Sequence, residues 1–186
     1  AGGENNAWTN NDITNYYLTV PRQNVETGFW LESDRMLSLD FSERSLEVQR
    51  GVVMEEFKQR CLNQPYGDIG HLLRPLAYQT HPYQWPTIGK ELSHIANATL
   101  EEVKAFFFRF YAPNNAILAV TGNISFEEAV ALTEKWFGSI PRREVPATRT
   151  GTDGRTAADG REKCSSRFFI YGIPHACPLP SGLLCI

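Results

Sequence analysis

Glu56 lies in the segment Leu46–Arg60, which is charged on one side and apolar on another. At about 100° per residue, Leu46, Val53 and Phe57 fall on one flank and Val52 widens it, so the segment reads as an amphipathic helix with a buried stripe. Gln49 and Glu56 are two helical turns apart and point the same way. A carboxylate in that position can hold a cation or move a proton. An amide can neither move a proton nor offset a cation's charge. From periodicity alone Glu56 reads as a solvated glutamate on an exposed helix face, so its chemistry depends on what surrounds it.

The other residues able to do chemistry are four histidines and four cysteines. His81 sits in the proline-aromatic loop His81–Pro86 and His94 on a short helical stretch, and both read as structural histidines. His175 with Cys177 and Cys185 offers three donors, but no fourth ligand at a usual zinc spacing accompanies them. The cysteines are too few and too irregularly spaced for a disulfide scaffold, and they do not fix a compartment.

A chain of 186 residues, 42% apolar and 21% charged, suits one domain with a proper core. The net charge of −3 argues against a nucleic acid or an anionic membrane as partner. No apolar run approaches the roughly 20 residues of a membrane helix, and no signal peptide opens the chain. The expectation is therefore a soluble protein of undetermined compartment. The start Ala1-Gly2-Gly3, with no initiator Met, suggests a processed chain or a fragment.

The elements that must position Glu56 can be read in order. Glu4–Thr9 and Ile13–Val20 flank Asn10-Asn11-Asp12 and predict a hairpin, because Asn and Asp tolerate turn dihedrals and bond nearby backbone. Its first strand is short and polar, as an edge strand often is. Val25–Leu37 predicts a core helix. Asp40 and Glu43 resemble a capping box that opens the helix carrying Gln49 and Glu56, which runs to about Asn63 and stops at Pro65-Tyr66-Gly67.

Asp68–Tyr78 predicts a short helix interrupted by Pro75, and Thr87–His94 another. Thr99 and Glu102 form a capping box for a helix to Tyr111, with Phe106, Phe107 and Phe110 on its core flank. Ala116–Gly122 predicts a buried central strand, and Ser125 with Glu128 caps a helix closed by Gly138. This order implies an α+β fold, a sheet layered against several helices. Residues 1–147 form the domain, and 148–186 read as a linker and an atypical tail rich first in Gly, Thr, Arg and Asp and then in Cys.

Three stretches resemble the pitrilysin/insulinase family of zinc metallopeptidases, the inverzincins, which includes the mitochondrial processing peptidase subunits. Gly2–Thr9 with Thr14-Asn15-Tyr16-Tyr17 is similar to the family's Asn-Ala-x-Thr edge strand and the Thr-x-Tyr-Tyr strand after it. Gln49-Arg50-Gly51-Val52-Val53-Met54-Glu55-Glu56 is similar to its Glu-Arg-x-Val-Val-x-x-Glu helix. Tyr111–Ala116, Val120–Asn123 and Trp136–Pro141 resemble the close of its first half-domain.

The resemblance implies a mixed or antiparallel sheet packed on helices, and proteolysis of extended oligopeptides. It makes Glu56 the third zinc ligand, places Asn6 at the scissile carbonyl, and has the backbone around Ala7, from Asn6 to Trp8, pair with substrate. An oxygen ligand suits Zn²⁺, and an amide donor beside a developing oxyanion lowers the barrier.

Two departures qualify this. None of His71, His81, His94 or His175 is followed by Glu-His at the spacing of the family's His-x-x-Glu-His motif. That motif supplies two imidazole ligands and the general base. Gln49 also stands where many relatives carry a glutamate, and an amide loses any acidic role beside the metal.

The expectation is a fragment of the N-terminal catalytic half-domain, inactive alone, with Zn²⁺ held by the complete protein and not retained by this chain. Its partners would be a peptide substrate and a second homologous half-domain or subunit, with no nucleic acid and no membrane. The alternative is a non-catalytic peptide-binding or assembly subunit of the same fold.

Overall fold

The computed structural model describes residues 2–37 and 39–144 and the backbone of residues 166–171. The Asn10 side-chain carbonyl accepts the N–H groups of Asp12 and Ile13 at 2.8 and 2.9 Å. This local turn reverses the chain between strand β1, Glu4–Thr9, and strand β2, Thr14–Thr19. The two pair antiparallel with Glu4 opposite Thr19 and Thr9 opposite Thr14, as the hairpin reading expected.

Helix α1, Val25–Leu37, buries Phe29, Ser33 and Met36 at helical spacing. Phe29 packs with Leu18 of β2 and with Val120, which lies on strand β3, Ala116–Thr121. Helix α6, Phe126–Phe137, adds Leu132, Trp136 and Phe137 to that core. Its first turn is capped by Ser125, whose hydroxyl accepts the Glu128 N–H at 3.2 Å. Strand β4, Ser166–Tyr171, pairs in parallel with both β2 and β3.

The sheet order is therefore β1-β2-β4-β3, one antiparallel and two parallel ladders. Together with the helices this is the expected α+β architecture. β3 is not the central strand its apolar run predicted; among the described residues it lies at the sheet edge. A continuous apolar run reports coverage of both faces, not the number of neighbours. β4 comes from the stretch read as linker and tail, and the rest of that stretch lies outside the described residues, with His175, Cys164, Cys177 and Cys185.

The described chain falls into two compact units, the first holding the sheet, α1, α6 and residues from Phe107, and the second running from Asp40 to Phe106. In the first unit the Tyr16 and Tyr111 hydroxyls lie 2.5 Å apart, and the Arg35 guanidinium sits 4.2 Å above the Tyr16 ring. Burial, and then the neighbouring Tyr16, push the Tyr111 phenol above its ordinary range.

The sign of the pH effect follows. The folded state keeps the Tyr111 proton where the unfolded chain loses it, so this stabilisation is present below about pH 10 and is lost as pH rises further. We expect urea midpoints to fall above about pH 10 for the wild type and less steeply for Tyr111→Phe. Equal slopes would refute the assignment.

In the second unit, helix α2 spans Glu43–Phe57 and continues through a π turn, Lys58–Leu62. Its cap is Ser42, not Asp40. The Ser42 hydroxyl accepts the Ser45 N–H at 3.2 Å, and the Asp40 carboxylate accepts the Ser42 and Ser45 hydroxyls at 3.2 and 2.7 Å. A side chain must be adjacent to the first turn to cap it, so Asp40 acts one step removed.

After the π turn, a Cβ at Gly67 would fall 2.4 Å from the Arg60 carbonyl oxygen, so only glycine permits this return of the chain. Tyr66, just before it, is exposed at φ 62°, a left-handed conformation costly for a bulky residue. Tyr66→Asn, which enters this region readily, is expected to stabilise the chain by about 0.5–1 kcal/mol, read from the urea midpoint.

Helix α3, Ile69–Ala77, runs through Pro75 instead of breaking there. The missing donor falls in its last turn, where little helix remains to lose. Helix α4 is confined to Leu92–Ala96, because Gly89 at φ 116° cannot lie in the helix predicted from Thr87. Helix α5, Leu100–Phe110, opens on the expected box: the Thr99 N–H reaches the Glu102 carboxylate at 2.8 Å and the Glu102 N–H the Thr99 hydroxyl at 3.3 Å. Of the expected core flank Phe107 is buried and Phe110 half-buried, but Phe106 is exposed, as is Phe108. Phe106 and Phe107 diverge by about 100°, so a narrow buried stripe takes only one of them.

Candidate functional site

β1 has one neighbour, β2, among the described residues, and all six of its residues are exposed. Asn6 stands opposite Tyr17, Ala7 opposite Tyr16 and Trp8 opposite Asn15. The Asn6 side-chain oxygen accepts the Ala7 N–H at 2.8 Å. An unpaired strand edge is a template for a further strand, and here one of its donors is held by a neighbouring side chain.

Gln49 and Glu56 lie on α2, in the other unit. Gln49 is exposed, and Glu56 is paired with Arg60 at 2.9 Å, the two side chains 40% and 68% exposed. Such a pair contributes under about 1 kcal/mol, so it leaves the carboxylate available. Val48 and Val52 on the same helix are 59% and 57% exposed. The expectation that Val52 belongs to the buried stripe is therefore corrected: that stripe is Phe57, with Leu46 and Val53 half-buried.

Phe57 is in turn fixed edge-on by the His71 ring at 5.4 Å, and His71 Nε2 lies 2.9 Å from the Gly89 carbonyl oxygen. His81 is buried, and its Nδ1 accepts the Tyr83 N–H at 3.2 Å. Both are structural histidines, as read for His81 from its loop.

Zinc fits this constellation only in part. Catalytic zinc takes three protein ligands and an open position. No group of three His, Cys, Asp or Glu side chains able to hold a metal occurs among the described residues. Glu56 offers one oxygen, and no step through a metal follows from these residues alone. Burial raises the Cys61 thiol above its usual range, which makes it a poor ligand or nucleophile. No described helix is long and apolar enough to cross a membrane.

Sequence reasoning missed two arginines. Arg60 stands four residues after Glu56, a spacing that signals an ion pair. Arg50 bonds the Ala98 carbonyl oxygen at 2.7 Å, a partner that nothing local indicates.

A mixed sheet with an exposed polar edge strand, layered with helices, is the architecture of half of a known class of proteases. The solved structure of a protease from Helicobacter pylori matches it with a TM-score of 0.68 at 30% identity, over 80% of this chain and 36% of that one. The first half of the periplasmic protease PqqL from Escherichia coli shares the fold, with a TM-score of 0.63 at 23% identity, over 78% of this chain and 31% of that one.

The family model described as the peptidase M16 inactive domain matches residues 97–167, a span that excludes Asn6, Gln49 and Glu56. The zinc protease PqqE of Helicobacter pylori is 34% identical over 149 residues, 80% of this chain and 33% of the relative. The chain belongs to the pitrilysin/insulinase-type, or M16, metallopeptidase family. It spans about a third of the length of the curated relatives it matches.

Proposed function

We propose that this chain supplies one zinc ligand, Glu56, and the substrate-pairing strand, Asn6 to Trp8, to a peptidase that hydrolyses extended oligopeptides. The observation that carries the reading is the face of α2. Among the described residues, a carboxylate in an exposed ion pair stands on a helix whose Val48 and Val52 are exposed. In this reading a helix bearing His-x-x-Glu-His, from polypeptide beyond these 186 residues, covers those valines and brings two imidazoles to Glu56. Glu56 would be one of three protein ligands to that zinc, which when bound would supply Lewis acidity toward water and the peptide carbonyl.

This chain's own residues position the substrate. A peptide laid along β1 takes up the strand's unpaired backbone groups and displaces the Asn6 side chain from the Ala7 N–H. The freed amide is then available to the carbonyl being attacked. A second homologous half-domain or subunit is its partner in this reading.

The test is zinc content and cleavage of a quenched-fluorescence peptide by the full-length protein. Glu56→Gln is expected to lower zinc affinity by about 10-fold or more and to abolish cleavage. Stoichiometric zinc and full activity in that variant would refute the assignment.

A second reading, a non-catalytic peptide-binding or assembly subunit, is favoured by Gln49 and by the match of residues 97–167 to the inactive-domain model. It predicts a full-length protein that binds the same peptide but holds no zinc.

A further inference from the structure

Arg50 is most simply a solvated partner of Glu47, one turn earlier on α2, but its surroundings argue otherwise. One end of its guanidinium meets the Glu47 carboxylate, and the other donates to the Ala98 carbonyl oxygen at 2.7 Å. The Arg50 side chain is 20% exposed against 72% for Glu47, and its Nε is buried with no hydrogen-bond partner among the described residues. A buried donor left unmade costs about 1–3 kcal/mol, so this placement is maintained by the two bonds at the fork.

Ala98 is a demanding anchor. The next residue, Thr99, caps α5 with Glu102 in a reciprocal pair, so the carbonyl cannot shift without disturbing that cap. Glu56 lies six residues beyond Arg50, about 9 Å along the axis and about 120° around it. Arg50 and Phe57 are two turns apart on one face of α2, and fixing the first to Ala98 and the second to His71 therefore determines which way Gln49 and Glu56 face.

We propose that Arg50 is the positioning residue for Glu56: a two-ended clamp that sets the rotation of α2 against the start of α5. Its consequence for zinc rests on reading Glu56 as a ligand, whereas the clamp itself does not. Lysine can replace it only in part, since an ammonium is a single point charge and not a planar fork that holds both ends.

The test has two arms. In the 186-residue chain, hydrogen exchange read by mass spectrometry should quicken about tenfold over residues 49–57 in Arg50→Met, and less in Arg50→Lys, with α6 unchanged. Wild-type rates over α2, or an equal rise over α6, would overturn the clamp. In the full-length protein, zinc affinity measured against a chromophoric chelator should fall about tenfold in Arg50→Met and further in Glu56→Gln. Loss in Glu56→Gln with wild-type affinity in Arg50→Met would sink the positioning role alone. Wild-type affinity in Glu56→Gln, or no zinc in the wild type, would sink the ligand reading, and the exchange arm would still decide the clamp.

Discussion

Replacing Phe29 by alanine is expected to destabilise the sheet-bearing unit by about 3–5 kcal/mol, enough to unfold a marginal domain. Phe29 is 0% exposed and joins α1 to Leu18 of β2 and Val120 of β3, with Leu132, Trp136 and Phe137 of α6 around it. Truncation leaves a cavity bounded by four elements, none of which can collapse without moving its strand or helix. Phe29→Leu, which keeps most of the volume, should cost markedly less. Urea unfolding of both variants checks this, and equal losses would show that the site relaxes freely.

A comparable loss, about 3–5 kcal/mol, is expected for Glu32→Ala, by a different mechanism. Glu32 is 2% exposed and accepts the Arg35 Nε at 2.9 Å. The Arg35 guanidinium also lies over Tyr16, and its pKa is raised: burial lowers it, and the Glu32 partner more than offsets that. Removing the carboxylate leaves a half-buried cation without its counter-charge. The double variant Glu32→Leu with Arg35→Met removes both charges and should recover most of the loss. Failure of the double variant to recover would place the cost in packing instead of charge.

Much of the hairpin and of the helix caps in both units was legible in the sequence because the signals are local. Thr99 with Glu102, Ser125 with Glu128 and Asn10 with Ile13 each bond within three residues, so residue type and spacing suffice. Where two local signals compete, legibility fails. Asp40 and Ser42 both suit a cap, and only adjacency to the first turn decides between them. The same holds at Gly89, whose positive φ shortens a helix that composition allows.

The candidate site divides along the same line. Gln49 and Glu56 share a face of α2 by spacing alone, and Asn6 to Trp8 form a polar edge strand by composition. Whether Val52 is covered, and what holds α2 in rotation, are properties of packing.

By itself, then, the sequence determined the elements up to Phe137, most of their caps and the motif-bearing residues of an M16 relative, since each depends on neighbours a few bonds away. Tertiary structure alone decided that β4 enters between β2 and β3, that Arg143 ties the Met36 and Tyr111 carbonyls together, that Tyr16 meets Tyr111, and that Arg50 grips Ala98. Those contacts join residues tens of positions apart. They are selected by which apolar faces bury together, and no local pattern of side chains encodes them.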